Sequence, residues 1–339
     1  MPEHASSPAT RSRTPEHADS PATRSRTPER ATASLSATAL LSAAAALLLA
    51  GCGANPPEAE GVLEPTGQAS AAAQTKDQAL YDRLPDKVKQ AGKLISVNNG
   101  SFPPYEIAGP DGRSLTGAAA DLSDALGQVL GVRIEHVTVD GLPSSLTGIA
   151  SGRYDFAIGP VGDFPDRQKN NDFVDWVKEY VVFAVPKGNP DKIGSVADTC
   201  GLKISVMAGG SAEAVIKGQS AACVKEGKQQ ITVQSYKDQP TSVLAVSSGR
   251  ADAFFSSQAP LTYFVDQAGG KLELAGKGQP NGFDDLYQGA VVAKDSPLRD
   301  VLKDGIQRLM DNGTYDRIMT RWKTSDNKLD QAGVNLAKS

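Results

Sequence analysis

The alternation of strand-like and helix-like segments constrains the fold of this chain more than any other feature of its sequence. Lys93–Asn98, Val132–Val139 and Tyr154–Ile158 are short runs with the apolar content of strands. Ala118–Leu130 and Leu142–Ser151, which lie between them, carry apolar residues at helical spacing. Strands that alternate with helices in this way predict a parallel sheet with helices on its faces, and therefore a protein of the α/β class.

The same alternation starts again further along the chain and predicts a second α/β unit over about 187–285. Tyr180–Val185 leads into this unit as a strand, and a glycine loop, Gly209-Gly210-Ser211, opens its first helix. Further strands are predicted at Lys203–Val206, Ile231–Ser235, Ala251–Phe255, Lys271–Ala275 and Tyr287–Ala293, and helices at Ala212–Lys217, Thr241–Ser248, Gln258–Gln267, Ser296–Met310 and Gly313–Trp322. With 339 residues, the chain is long enough for two domains of ordinary size.

The segment Gly159–Arg167, G-P-V-G-D-F-P-D-R, is expected to be a loop because glycine and proline interrupt the strand before it. Asp163 is expected to cap a short helix that begins at Pro165, which leaves Arg167 beside the helix start. Exposed backbone N–H groups, a helix N-terminus and one guanidinium together suit an anion, and a carboxylate in particular. The alternative is a surface arginine that pairs with Asp163 or Asp172.

Ser101–Tyr105, S-F-P-P-Y, is a second expected loop, because its two prolines lack N–H donors and have a fixed φ. It follows the first predicted strand, as Gly159–Arg167 follows the third. Ligands of open parallel sheets bind beyond the carboxyl ends of the strands. The sequence therefore predicts a binding site between these two loops.

The front of the chain has the features of an export signal over residues 1–51. Arginines precede an Ala- and Leu-rich run, and small residues precede Cys52. Leu-Ala-Gly-Cys at 49–52 resembles the lipobox of bacterial lipoproteins, which implies a lipid anchor at Cys52 on the outer face of the cell membrane. Residues 52–79, rich in Ala, Pro, Gly, Glu and Gln, are expected to be a flexible tether. The alternative, a membrane-spanning anchor, is disfavoured because the strongly apolar part, Leu40–Leu49, is too short to span.

Composition and residue counts exclude several classes of function. A net charge of −4 without a basic stripe argues against a nucleic-acid partner. His136 is the one histidine after residue 52, which argues against a Ser-His-Asp triad and a His-rich metal site; it is expected to be solvated. Cys200 and Cys223 are expected to form a disulfide in an exported chain, with two separately buried thiols as the alternative. Neither a metal nor a cofactor is expected.

Several motifs resemble the extracellular solute-binding proteins of family 3, which serve ABC importers of amino acids. The motifs include P-P-Y, then L-T-G-I-A-S-G-R-Y-D-F-A-I-G, then S-S-G-R-A-D-A-F-F and the tail L-M-D-N-G-T-Y-D-R-I-M-T-R-W. The resemblance extends over about 92–325 and implies a two-lobed, type II periplasmic-binding-protein-like fold with two hinge strands. Lobe 1 is then expected at 80–184 plus 288–339, and lobe 2 at 187–285, with the hinge strands near Val182–Val185 and Gln288–Val292.

The resemblance also implies a set of ligand contacts. Phe102 corresponds to the aromatic residue that stacks on the ligand, Arg167 to the arginine that binds its carboxylate, and Ser211 to a hydroxyl residue that holds the same group. At two positions the chain departs from the family pattern, because an aromatic is replaced by Leu142 and a hydroxyl residue by Gly162. The other implied members of the site are Asn99, Tyr105, Gly159, Pro160 and Ser257.

Ser257 is the most consequential departure from the family pattern. The family holds the ligand's α-ammonium with an aspartate at this position, and a neutral serine loses a charge-assisted hydrogen bond. Either Glu213 or Asp163 supplies the missing acid, or the ligand is a derivative without a free α-ammonium. An acylated, cyclic or quaternary amine would suit Phe102 through a cation–π contact or stacking.

The expected function is therefore a monomeric, lipid-anchored binding protein that captures a small zwitterionic or carboxylate ligand and delivers it to a separate ABC permease. A ligand-sensing receptor domain is one alternative. An enzyme of the dehydratase or lyase type is another, but it would need a cleft acid or base with a shifted pKa, which the predicted site lacks.

Overall fold

The computed structural model describes residues 73–338, and no helix within that range is long and apolar enough to cross a membrane. The predicted signal peptide, Cys52 and most of the predicted tether lie outside the described residues. The last residues of the predicted tether are bound to the fold: the Gln74 N–H donates to Gln128 Oε1 at 2.8 Å and the Asp77 N–H to the Val129 carbonyl at 2.8 Å. The folded part therefore begins before residue 80.

Strands and helices alternate through most of the described range. The strands are β1 (Lys93–Asn98), β2 (Ser101–Phe102), β3 (Glu106–Ala108), β4 (Leu115–Thr116), β5 (Arg133–Thr138), β6 (Ala157–Gly162), β7 (Asn171–Glu179), β8 (Val181–Pro186), β9 (Lys203–Met207), β10 (Thr232–Tyr236), β11 (Ala253–Ser257), β12 (Leu272–Ala275), β13 (Leu286–Ala293) and β14 (Lys328–Val334). The helices are α1 (Gln78–Asp82), α2 (Asp86–Ala91), α3 (Ala118–Leu130), α4 (Leu142–Ala150), α5 (Ser211–Lys225), α6 (Gln239–Ser247), α7 (Gln258–Gln267), α8 (Leu298–Asp311) and α9 (Thr314–Arg321).

The first sheet combines a parallel part with an antiparallel part. β1 pairs in parallel with β5, and a bridge between Ser96 and Phe156 joins β1 to the residue before β6. β6 continues into the order β6-β13-β7-β14, in which the neighbours are antiparallel. α3 packs on this sheet. Ten of its residues are buried, and Leu122, Leu126 and Leu130 are among those that pack in the core.

The second sheet has the order β10-β9-β11-β8-β12, with apolar side chains buried on both faces. Its parallel part is β10-β9-β11, and β8 runs antiparallel to both of its neighbours. Phe183 and Phe255 pack on one face, whereas Phe254 and Leu261 pack on the other. The predicted helix Ala212–Lys217 is longer than expected, since α5 continues to Lys225 and carries one of the two cysteines.

The chain passes from the first sheet to the second at Tyr180, between the end of β7 at Glu179 and the start of β8 at Val181. It returns between Ala275, the last residue of β12, and Leu286, the first residue of β13. β8 belongs wholly to the second sheet and β13 wholly to the first. These two passages are the connections between the halves of the molecule.

Two long strands, β7 and β14, are not among those that the sequence pattern predicts. β7 contains Asp172, Asp175 and Glu179, whose charges hide a strand that is buried along nearly all of its length. Groups distant in sequence contact two of these acids: Lys294 Nζ donates to Asp172 Oδ1 at 2.8 Å, and the Leu336 N–H donates to Asp175 Oδ2 at 3.0 Å, whereas Asp175 Oδ1 has no hydrogen-bond partner among the described residues. A strand of this kind depends on partners that local periodicity does not reveal.

The expectation of a loop and capped helix at Gly159–Arg167 is wrong in its first half and in its cap. β6 runs through Gly159 to Gly162, because β13 pairs with it. The expected helix is a single 3-10 turn over Arg167–Lys169, without a side-chain cap. Asp163 instead accepts hydrogen bonds from Gln168 Nε2 and from the Ala337 N–H.

The side chain of His136 does not lie in solvent as expected. His136 is half-buried, and burial lowers its pKa to about 4, so the expectation of a solvated imidazole is wrong. Cys200 and Cys223 are joined by a disulfide with their Cα atoms 5.6 Å apart. The disulfide links the segment before β9 to α5, because Cys200 lies in that segment and Cys223 lies on α5, where it is buried in the core.

Candidate functional site

A central cavity of about 750 Å³, including its open mouth, lies between elements of the two sheets. The first-sheet half contributes Val97, Asn98, Asn99, Phe102, Glu106, Leu142, Ser145, Ala157, Pro160, Val161, Gly162, Arg167, Leu286 and Gln288. The second-sheet half contributes Val181, Met207, Gly210, Ser211, Ala212, Ser256 and Ser257. Eight of the ten predicted contact residues therefore line one cavity, and Tyr105 and Gly159 do not.

Phe102 reaches the cavity because β1 ends at Asn98 and the chain turns there into the small sheet of β2, β3 and β4. Tyr105 lies behind Phe102, with ring centroids 5.8 Å apart, and is fully buried. Its hydroxyl donates to Glu179 Oε1 at 2.7 Å. Tyr105 therefore supports the cavity wall instead of forming it.

Gly159 lies behind the wall of the cavity for a steric reason. Its φ is +78°, and a Cβ at this position would lie 2.2 Å from the Gly289 carbonyl oxygen. The absence of a side chain lets β6 approach β13 closely. Pro160 and Gly162, further along β6, then lie on the cavity wall.

Arg167 is held at the wall by backbone carbonyls from both halves of the molecule. Nη1 donates to the Gly162 carbonyl at 2.9 Å, and Nη2 donates to the Gly209 carbonyl at 3.2 Å. The guanidinium also lies 5.1 Å from the centroid of the Phe164 ring. Burial lowers the pKa of Arg167, but guanidinium remains a cation at physiological pH. Further N–H donors of its five are left for a ligand.

The N-terminus of α5 supplies donors from the second half. Gly210 is the N-cap, Ser211 the first helical residue, and both line the cavity with Ala212. The first N–H groups of a helix have no partner within the helix, and the helix dipole favours an anion beside them. Arg167, Ser211 and these N–H groups can therefore bind one carboxylate.

Glu106 is a cavity residue that the sequence analysis missed. Its side chain is 6% exposed, burial raises its pKa to about 8, and Oε1 has no hydrogen-bond partner among the described residues. It is also the one carboxylate among the described residues that line the cavity. The sequence offered a single signal, its position directly after P-P-Y, next to Phe102.

Gln288 is the second residue missed, and it lies on β13 beside Ser257. Gln288 Nε2 donates to Ser257 Oγ at 3.4 Å, and Gln288 Oε1 is buried without a partner in the described part of the chain. Ser145 Oγ and Asn98 Nδ2 are likewise buried without partners there. Buried polar groups are normally hydrogen-bonded, so this cavity is prepared for a polar occupant.

The two acids expected to replace the family aspartate are elsewhere. Glu213 accepts hydrogen bonds from the Gly209 N–H and from Ser235 Oγ, and it pairs with Lys217. Asp163 is bound by Gln168 and Ala337, as described above. Neither lines the cavity, so the hypothesis that one of them substitutes at Ser257 is wrong.

Comparisons with known proteins show what this chain is similar to. The model of "Bacterial extracellular solute-binding proteins, family 3" matches residues 94–325. The arginine-binding protein ArgT of Corynebacterium glutamicum is 29% identical over 257 residues, which cover 74% of this chain and 81% of that relative. The L-cystine-binding protein TcyJ of Escherichia coli is 27% identical over 247 residues, covering 72% of this chain and 87% of TcyJ.

Solved structures of amino-acid-binding proteins share the fold. The ABC transporter substrate-binding protein AbpA of Streptococcus pneumoniae, bound to L-arginine, has a TM-score of 0.63 at 23% identity, covering 71% of this chain and 99% of AbpA. An ancestral arginine-binding protein bound to arginine has a TM-score of 0.59 at 25% identity, covering 68% of this chain and 98% of that protein. The fold is thus the two-lobed, type II periplasmic-binding-protein fold.

Proposed function

The chain belongs to family 3 of the bacterial extracellular solute-binding proteins, and we propose that it captures an amino acid with a cationic side chain for an ABC importer. The observation that carries the proposal is the charge pattern of the central cavity. Among the described residues that line it, the cavity has one guanidinium, at Arg167, and one buried carboxyl group, at Glu106, whose Oε1 has no hydrogen-bond partner there. A basic amino acid carries both complementary charges.

Arg167 and the N-terminus of α5 bind the α-carboxylate in this proposal. A carboxylate suits the planar fork of a guanidinium, which can give it two parallel hydrogen bonds. Arg167 already touches the second half of the molecule through the Gly209 carbonyl, so a carboxylate bound here would contact both halves. Phe102 and Leu142 form apolar walls for the aliphatic part of the ligand.

Glu106 binds the side-chain cation. An unpaired buried carboxylate is costly, and this cost raises the pKa of Glu106 to about 8, which favours the protonated form at neutral pH. A guanidinium or ammonium of the ligand favours the ionised form and supplies the missing hydrogen-bond donors. L-Arginine is the first candidate, and the names of ArgT and of the ancestral protein support it.

A ligand screen tests this function directly. Purified protein is heated with each common amino acid, with Nα-acyl amino acids, with betaines and with opine-like compounds. We expect L-arginine or another basic amino acid to raise the unfolding midpoint most, since ligand at 100 times Kd stabilises by about 2.7 kcal/mol. No shift with any amino acid, or the largest shift with aspartate or glutamate, would refute the proposal.

An enzyme on the same fold is the second candidate, and Glu106 is the observation that favours it. The predicted site lacked an acid with a shifted pKa, but the cavity contains one, because burial raises the pKa of Glu106 to about 8. The discriminating measurement is the recovery of L-arginine after long incubation. A binding protein returns it unchanged, whereas a dehydratase or lyase would release a product detectable by mass spectrometry.

The lipid anchor at Cys52 and the delivery to a membrane permease complete the proposal. Family membership supports an exported location, and the sequence L-A-G-C at 49–52 supports lipidation. We expect the exported protein to partition with membranes and Cys52→Ser to release it into the medium. Membrane association that persists in Cys52→Ser would refute the lipid anchor without affecting the ligand proposal.

A further inference from the structure

At the position of the missing family aspartate, the side chain of Ser257 contacts a neutral carboxamide, that of Gln288. Ser257, the last residue of β11, is 6% exposed and lines the central cavity. Gln288 lies across from it on β13, is 5% exposed, and contacts it through Nε2 at 3.4 Å. Neither a carboxylate nor a cation of the described residues is hydrogen-bonded to either side chain.

The backbone directs Gln288 at the cavity. Between Gln288 and Gly289 the register of β13 against β7 shifts, and such a bulge re-aims the side chains next to it. In the register against β6, Gln288 is opposite Gly162, whose carbonyl accepts the hydrogen bond from Arg167 Nη1. Gln288 therefore lies opposite the residue that holds Arg167, and all three residues line the same cavity.

We propose that Gln288 is a specificity-determining residue, whose Oε1 forms with Ser257 Oγ a neutral acceptor pair for the ligand's α-amino group. This inference rests on the proposed function, because it assigns a third part of the same ligand. The α-amino group of an amino acid lies beside its α-carboxylate, as Gln288 lies beside the Arg167 contact at Gly162. The bound ammonium supplies the donor that Gln288 Oε1 lacks.

The neutral pair also explains how one acid serves a doubly cationic ligand. Glu106 is the one carboxylate among the described cavity residues, and it is assigned to the side-chain cation. Two neutral acceptors bind an ammonium without a second buried negative charge, which would repel Glu106 and cost further desolvation. The α-amino subsite is consequently weaker than one that contains a carboxylate.

Calorimetry with matched ligands tests the subsite. The probes are L-arginine and 5-guanidinopentanoate, which lacks the α-amino group, and likewise L-lysine and 6-aminohexanoate. We expect Gln288→Leu to weaken binding of the amino acid about tenfold or more and to leave its desamino partner within about twofold. Ser257→Asp should strengthen binding of the amino acid about tenfold and weaken binding of the desamino acid.

Gln234→Leu is the matched control, because Gln234, which lies on β10, donates to the Arg250 carbonyl and does not line the cavity. It should leave all four affinities unchanged. A Gln288→Leu variant that weakens both members of a pair equally, or neither, would overturn the subsite while leaving the proposed function intact. Wild-type protein that binds none of the four probes would refute the proposed function and this subsite with it.

Discussion

The substitution Glu106→Gln isolates the effect of one buried carboxyl group on stability and binding. Burial raises the pKa of Glu106 from 4.5 to about 8. The folded protein therefore holds a proton that the unfolded chain releases above pH 4.5, so this group makes the wild type less stable as pH rises toward 8. Glutamine has nearly the same shape and does not titrate.

The size of the effect follows from the two pKa values. The difference between 4.5 and about 8 corresponds to about 5 kcal/mol at 1.36 kcal/mol per pH unit, reached only above pH 8. Ligand-free Glu106→Gln should match the wild type below pH 5. At pH 8.5 it should unfold at a midpoint roughly 10 °C higher than the wild type.

The affinity for a basic ligand should rise with pH, whereas the stability contribution of Glu106 falls with pH. A basic ligand binds the ionised form of Glu106, so wild-type affinity for L-arginine should rise up to about tenfold per pH unit between pH 6 and 8. Below pH 8, binding should release a proton, which calorimetry detects in buffers of different ionisation enthalpy. Glu106→Gln should abolish both the proton release and most of the affinity for L-arginine.

The assay is thermal unfolding from pH 5 to 9, followed by calorimetry at pH 6, 7 and 8. Glu226→Gln is the control, because Glu226 is an exposed partner of Lys228 outside the cavity. It should follow the wild-type pH profile. If Glu106→Gln does so too, the carboxyl group is not buried and protonated as the structure indicates. If its affinity for L-arginine equals that of the wild type, Glu106 does not bind the cation.

The remaining predictions concern the other parts of the site and the disulfide. Arg167→Ala should weaken L-arginine binding by 2 kcal/mol or more, about 30-fold in Kd, because it leaves the ligand carboxylate unpaired; wild-type affinity in calorimetry would reject the carboxylate contact. Phe102→Ala should cost roughly 1 kcal/mol of binding through lost packing, and an unchanged Kd would remove Phe102 from the site. Intact mass with and without reductant, after alkylation, should show two new thiols at Cys200 and Cys223, whereas thiols already free in the exported protein would contradict the disulfide.

Local patterns in the sequence predicted the elements whose side chains face one core. α3 was predicted at its observed bounds, because its apolar spacing matches the face that packs on the first sheet. β1 and α7 were also predicted at their observed bounds. β7 was missed because acidic residues in a sequence resemble surface residues. Its acids are buried in the fold, where Lys294 and the C-terminal segment that contains Leu336 contact them from distant positions in the chain.

The candidate site shows the same division. The resemblance to the family implies Phe102, Arg167 and Ser211 as ligand contacts, and the structure places all three on one cavity. Glu106 and Gln288 were missed, because burial in a shared cavity is what makes them functional candidates, and neither residue type signals this locally.

The sequence by itself determined the α/β class and the family, and it predicted an arginine, Arg167, that the structure places on the cavity wall, since periodicity and motif spacing are local properties. Only the tertiary structure decided the charges of the cavity. It excluded Glu213 and Asp163 from the site, and it placed Glu106 in a setting where burial changes its protonation. The physical reason is that desolvation and unpaired hydrogen-bonding groups depend on every element packed around a side chain, and those elements are distant in sequence.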